Sequence, residues 1–324
     1  MPELPEVEVV RAGVEPAVTG AVVAGVEIFD ERSLRRHDPR PGSFTEQLIG
    51  RRILGAVRRG KFLWLPLDSG RALVVHLGMS GQVLLRTPGS ALDRHLRIRL
   101  FLESVPPQVV PPTSLPEGAA GELYFDFVDQ RVFGSLVVDA LVPTGDGAAG
   151  GFAGHGSGPW SDLIPAQVAH ISRDPIDPAF SDQDFIAGLA RKRTGLKRAL
   201  LDQTLISGIG NIYADEALFA ARLHYDSPTA SLSSAQATEL LAALRAILYR
   251  ALDEGGTSFD AQYVNVNGQS GYFAHSLEVY GRQGAPCSRC GTTLVRESFM
   301  NRGSHLCPTC QALPHGVTRF HAPS

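Results

Sequence analysis

The chain opens Met1-Pro2-Glu3-Leu4-Pro5-Glu6, and removing an initiator methionine before a small residue such as proline leaves a secondary amine at the N-terminus. An α-amino group titrates near ~8 against ~10.4 for a lysine side chain, so far more of it is unprotonated at neutral pH. Attack of such an amine on a sugar or carbonyl carbon gives a cationic iminium, an electron sink of the kind covalent catalysis uses. Glu3 and Glu6 put carboxylates nearby to move protons. The same residues also suit a plainer role, because proline in the first turn and glutamate at the positive helix end both favour a helix start.

The second reactive constellation is at the other end. Cys287-Ser-Arg-Cys290 and Cys307-Pro-Thr-Cys310 are separated by residues 291–306 and hold all 4 cysteines. Each CxxC pair presents two sulfurs at a turn, and the intervening segment can form a β-hairpin that joins the two knuckles, as in a tetrahedral thiolate zinc site. The N-terminus lacks a secretory signal, which disfavours disulfides. A closed four-sulfur site leaves no open position for water, so a single structural Zn2+ is expected, and its binding would supply folding free energy to a short segment.

These groups need a scaffold. At 324 residues, 44% hydrophobic and 19% charged, the chain can bury two cores and is not a disordered polyelectrolyte. No segment approaches ~20 apolar residues, so a cytoplasmic protein without a membrane span is expected. A net charge of -3 argues weakly against a polyanionic partner, but only charge within a Debye length of ~10 Å acts on a bound phosphate. Local clusters therefore outrank the total. Arg51, Arg52, Arg58, Arg59 and Lys61 form one, and Arg191, Lys192, Arg193, Lys197 and Arg198 form another. Arg282, Arg289, Arg296, Arg302 and Arg319 form a third against one acid, Glu297.

Helical spacing covers residues 5–18, after which strand-length apolar runs recur at 22–29, 62–67, 72–77, 95–100, 123–128 and 135–138. Leu96-Arg97-Ile98-Arg99-Leu100 alternates as a half-buried strand should. Residues 145–158 are glycine-rich and read as a flexible linker, and the proline-rich stretch 106–121 as an exposed insertion. Beyond the linker the period becomes helical, over 183–192, 197–206, 212–221 and 234–252. Between two of these helices, Gly208-Ile209-Gly210-Asn211 could let backbone N–H groups at a helix start approach a phosphate, or simply permit a tight turn.

Taken in order, Pro2-Glu3-Leu4-Pro5-Glu6, His76-Leu77-Gly78-Met79-Ser80-Gly81, Asp129-Gln130-Arg131-Val132-Phe133-Gly134, Leu201-Asp202-Gln203, Gly208-Ile209-Gly210-Asn211-Ile212-Tyr213-Ala214-Asp215-Glu216 and the paired knuckles closely resemble formamidopyrimidine-DNA glycosylase. The resemblance spans nearly the whole chain. It implies an α+β fold: an N-terminal β-sandwich with a leading helix, a helix-two-turn-helix domain and a C-terminal zinc finger, with DNA held in the cleft between domains. The expected divisions are a catalytic sandwich at 1–144, a linker at 145–160, the helical domain at 161–256, a lesion-capping region at 257–281 and the zinc finger at 282–324.

The resemblance also implies roles. Pro2 would attack C1′ of an oxidised purine nucleotide and form a Schiff base, and elimination at both flanking phosphates would nick the strand. Glu3 would supply acid-base chemistry and Glu6 would support it. Lys61 and Arg302 complete the catalytic set at the phosphate and sugar. His95, Arg131, Lys197 and Asn211 would bind DNA. Eversion of the damaged base costs a few kcal/mol, and Met79 and Phe133 would fill the vacated stack while Arg131 hydrogen-bonds the orphaned cytosine. Val132 stands where many relatives have a second arginine. Thr257, Ser258, Gly271 and Tyr272, around the loop 264–273, would close over the everted base, and Glu216 would stabilise a helix. The implied partner is damaged double-stranded DNA, bound by a monomer. Two other readings stay open: an endonuclease VIII-like enzyme for oxidised pyrimidines, and a damage-binding module without catalysis.

Overall fold

A computed structural model of the chain describes residues 2–105, 121–256, 273–313 and 316–320. It divides into two compact units, Met1–His170 with Gly255–Gly271, and Ile171–Glu254 with Tyr272–Ser324.

The first unit is a two-sheet sandwich behind a leading helix. Helix α1 (Leu4–Val18) presents Val7, Val10, Val14, Ala17 and Val18 to the core at helical spacing. Sheet strands β1 (Val22–Ile28), β6 (Leu96–Glu103), β7 (Leu123–Asp129) and β5 (Gly81–Arg86) pair antiparallel in that order. The second sheet runs β2 (Val57–Arg59), β3 (Phe62–Pro66), β4 (Arg71–His76), β8 (Ser135–Pro143) and β9 (Leu163–Pro165). Leu63, Leu65, Leu73, Val75, Ile98, Leu100, Phe125 and Phe127 from both sheets share one apolar core with α1 and a short helix α2 (Phe44–Leu48). Arg99 departs from the expected alternation: it is buried, and its guanidinium makes two 2.7 Å bonds to the carboxylate of Asp126.

The topology brings two loops together. Strands β4 and β8 are neighbours in one sheet, with His76 opposite Ser135, and β5 and β7 are neighbours in the other, with Gly81 opposite Asp129. The β4–β5 and β7–β8 connections therefore both cross between sheets at the same end of the sandwich. These are the segments 77–80 and 130–134.

The glycine-rich stretch is not a free linker. Phe152 exchanges two 2.8 Å backbone hydrogen bonds with Arg58 of β2, and the aromatic ring of Phe152 lies under the Arg11 guanidinium of α1 at 5.1 Å. A Cβ on Gly151 would meet the Arg58 carbonyl oxygen at 2.4 Å. Glycine is used here because the backbone lies flush on β2, not because it must flex.

The second unit is helical, with α3 (Asp182–Arg191), α4 (Leu196–Leu200), α5 (Asn211–Ala220) and α6 (Ser234–Asp253), and ends in the hairpin β10 (Val295–Phe299) and β11 (Arg302–Leu306). The expected helix over 197–206 stops at Leu200, because Asp202 turns the chain by accepting both the amide and the hydroxyl of Thr204. No helix among the described residues is long and apolar enough to cross a membrane.

Candidate active site and nucleic-acid interface

Helix α1 fixes the N-terminal residues. Pro2 is buried, as are Glu3 and Glu6, and Glu6 Oε2 accepts the Glu3 N–H at 2.8 Å. The Glu6 carboxylate thus caps the helix and sets the backbone of Glu3. One turn on, Glu8 bridges two buried guanidiniums, Arg11 at 2.9 Å and Arg58 at 2.8 Å. That bridge ties α1 to β2, and β2 leads directly through Gly60 to Lys61, in the turn just before β3.

Lys61 is half-buried near a group the sequence reading passed over. His76, at the end of β4, is half-buried beside Phe62, ring centroids 5.0 Å apart. Burial, with the charges of Arg36, Arg35 and Lys61, lowers its pKa to about 4, so it is a neutral imidazole at neutral pH. Its sequence signal, a histidine at a strand end just before Gly78, was present but carried no spacing partner.

The two crossing loops carry Met79, Arg131 and Phe133. Met79 and Phe133 are 40% and 43% exposed, so both loops present apolar surface at this end of the sandwich. The Arg131 guanidinium lies 5.0 Å from the Phe133 ring centroid. Gly78 has φ +64°, and a Cβ there would meet the Phe133 carbonyl carbon at 2.5 Å, so glycine permits the loops to close on one another. Asp129 organises the turn by accepting the Arg131 N–H at 3.1 Å, the Gly134 N–H at 2.7 Å and the Ser80 hydroxyl. Val132 has φ 55°, a left-handed conformation costing an L-residue about 1–2 kcal/mol and least suited to a β-branched one. His95 joins this end through its carbonyl, which accepts the Asp129 N–H at 2.9 Å, and its buried Nε2 has no hydrogen-bond partner among the described residues.

In the second unit, α4, α5 and the hairpin converge. Lys197, expected to bind DNA, is wholly buried, 2.6 Å from Asp215 and donating to the Gly303 carbonyl at 3.1 Å. A buried ammonium needs such partners, and through them Lys197 ties α4 to α5 and to the hairpin. Asn211 Nδ2 donates to the same carbonyl at 3.2 Å. Asp215 also accepts the Ser304 hydroxyl and the His305 N–H, both at 2.9 Å. Next to Gly303, Arg302 is exposed beyond a two-residue turn, Met300-Asn301, with both φ values positive. The basic clusters are accordingly thinner at the surface than their sequence suggests: Arg58, Arg59 and Lys197 face inward, and Arg319 pairs with Glu297 at 2.6 Å.

Glu216 is buried and accepts the backbone N–H groups of Glu278, Val279 and Tyr280 at 2.8–3.0 Å. Burial raises its pKa against those donors, and its place is that of a strut between α5 and the segment entering the knuckles. The expected capping residues Thr257, Ser258, Gly271 and Tyr272 lie outside the described residues, as does most of the 106–121 insertion.

The four cysteines suit one zinc ion. Their Sγ atoms lie within 4.8 Å of one another, with Cys290 to Cys307 at 3.5 Å and Cys287 to Cys310 at 4.0 Å. Tetrahedral bonds of about 2.3 Å place sulfurs about 3.8 Å apart. None of the four is paired in a disulfide. The knuckles share a core with α5, where Phe219 packs with Val279, Cys287, Leu294 and Cys307. Arg289 donates to the Phe219 carbonyl at 2.6 Å, satisfying the helix end.

A sandwich led by a proline-glutamate helix, followed by a helical unit fused to a four-cysteine hairpin, defines the class of helix-two-turn-helix proteins with a C-terminal zinc finger. Family models match in the same order: the formamidopyrimidine-DNA glycosylase N-terminal domain over residues 1–136, the formamidopyrimidine-DNA glycosylase H2TH domain over 171–262, and the zinc finger found in FPG and IleRS over 284–313. The chain belongs to the formamidopyrimidine-DNA glycosylase family. It is 63% identical to the Leifsonia xyli subsp. xyli formamidopyrimidine-DNA glycosylase, covering 97% of this chain and 100% of the relative. Identity to the Thermobifida fusca protein of that name is 53%, covering 97% and 98%. Among solved structures, the Thermus thermophilus FPG protein matches with TM-score 0.72 and 35% identity, covering 96% and 98%. A Lactococcus lactis FPG mutant in complex with a Fapy-dG containing DNA matches with TM-score 0.75 and 27% identity, covering 96% and 100%.

Proposed function

We propose that the protein is a bifunctional DNA glycosylase and abasic-site lyase that excises oxidised purines from duplex DNA. The observation that carries this reading is a buried Pro2-Glu3 pair, with Glu6 fixing the Glu3 backbone, in a chain of this family at 63% identity. The relatives are named formamidopyrimidine-DNA glycosylases, and L. lactis FPG has been solved with Fapy-dG and abasic-site DNA.

With Met1 removed, the Pro2 nitrogen attacks C1′ and the base departs with the glycosidic electron pair. Glu3 protonates O4′ as the sugar ring opens, giving an iminium between Pro2 and C1′. Loss of a C2′ proton then expels the 3′ phosphate, and a second elimination expels the 5′ phosphate. A retained Met1 would make the Pro2 nitrogen an amide and abolish attack. Lys61 and Arg302 hold the backbone at the reacting sugar. Met79 and Phe133 occupy the vacated stack, and Arg131 meets the orphaned base. Asn211 adds a phosphate contact, and His95, beside the wedge, a DNA contact. When bound, zinc holds the knuckles folded and does no chemistry; Cys287, Cys290, Cys307 and Cys310 are its ligands. The divisions 1–144, 161–256 and 282–324 describe this working arrangement, with the chain acting as a monomer on damaged duplex DNA.

A lesion panel tests the assignment. Duplexes with 8-oxoguanine or Fapy-dG opposite cytosine should be excised and nicked faster than duplexes carrying oxidised pyrimidines. The opposite ranking would favour the endonuclease VIII-like reading, and binding without excision the non-catalytic one.

A further inference from the structure

Arg35 has an unusual set of partners for an exposed arginine. It follows the 3-10 turn Glu31–Leu34, and the neighbouring exposed arginines Arg32 and Arg40 are each paired with an aspartate. No carboxylate pairs with Arg35 among the described residues. Its guanidinium instead reaches across 97 to 99 residues of sequence to three successive carbonyls: Val132 at 3.3 Å, Phe133 at 2.6 Å and Gly134 at 2.7 Å. These are the carbonyls of the loop that projects Arg131 and Phe133.

The loop has reason to need a clamp. Val132, with φ 55°, is a β-branched residue in the left-handed region, where the surrounding structure must over-determine the conformation. Asp129 grips the amides on one side, and the planar fork of Arg35 grips the carbonyls on the other. Five N–H donors in a rigid plane suit several adjacent acceptors better than the point charge of a lysine. Relaxation of Val132 to negative φ would rotate the peptides on both sides of it and carry Arg131 and Phe133 away from Met79.

We propose that Arg35 is a positioning residue for base eversion: it holds the strained Arg131-Val132-Phe133 turn in the geometry that enters the base stack. This rests on the wedge role given above to Met79, Arg131 and Phe133.

The test compares single-turnover excision of 8-oxoguanine opposite cytosine and opposite adenine with nicking of a pre-formed abasic site, and reads eversion with 2-aminopurine beside the lesion. Arg35→Ala should slow excision about tenfold or more and shrink the preference for cytosine, with the abasic-site rate within about twofold of wild type. Arg35→Lys should fall between the two. Asparagine tolerates left-handed geometry, so Val132→Asn should restore most of the excision lost in Arg35→Ala, which a general folding defect would not allow. Wild-type excision and base preference in Arg35→Ala would overturn the proposal, as would a slow Arg35→Ala that Val132→Asn leaves slow. If Arg131→Ala and Phe133→Ala also excise normally, the wedge reading itself is at fault; if they are impaired while Arg35→Ala is not, only the clamp is.

Discussion

Lys197 and Arg302 look alike as basic residues within basic clusters, and burial separates them. Lys197 is held by Asp215 and Gly303 inside the helical unit, whereas Arg302 projects from the hairpin beside that carbonyl. Lys197→Met leaves a buried carboxylate without its cation, and calorimetry should show a loss on the order of 3 kcal/mol. Arg302→Ala should leave stability unchanged, weaken DNA binding across sequences and lower the slope of log K against log salt by about 1. Charge type was legible in the sequence, but the side of the surface was not, because burial depends on one partner in the next helix, Asp215, and another in the hairpin. His76 makes a second residue-scale case. With its pKa lowered to about 4 in the fold and near 6.5 in the unfolded chain, the unfolded state binds more protons between those values. Stability is therefore present above pH 6.5 and is lost as the pH falls toward 4, by about 2 kcal/mol between pH 7 and pH 5. Denaturant titrations of wild type and His76→Gln at both pH values should show a flatter response in the variant.

At the scale of elements, the strongly patterned segments could be read directly. Helix α1, the strands near 62–66, 96–103 and 123–129, and helices α3 and α6 follow from apolar periodicity, whereas α5 is an apolar run buried on all sides. Strand β5 did not stand out because Val83, Leu84 and Leu85 run without alternation, and the three-residue strands β2 and β9 are too short to show a period. The glycine-rich segment is ambiguous in sequence for a physical reason: glycine serves both freedom and close approach, and only the partner surface tells them apart. Gly151→Val should therefore destabilise the first unit by about 1–3 kcal/mol through overpacking against Arg58. A flexible linker would accept valine without a measurable change in thermal midpoint.

For the whole molecule, the two reactive constellations lie in different units, and both were legible because their chemistry is local: an N-terminal proline-glutamate pair, and two CxxC knuckles. The joining of the knuckles to α5 through Phe219, Arg289 and Glu216 was not, since it depends on long-range packing. Cys307→Ser, or zinc removal by a chelator, should abolish DNA binding while the near-UV signal of Trp64, buried in the first unit, persists. Retained affinity would argue against a structural role for the metal.

The central claim is that Pro2, freed of Met1, is the nucleophile. Borohydride added during reaction with 8-oxoguanine opposite cytosine should reduce the iminium and trap a covalent protein–DNA complex whose DNA-bearing peptide begins at Pro2. Absence of an adduct, or equal trapping by Pro2→Gly through another amine, would contradict it.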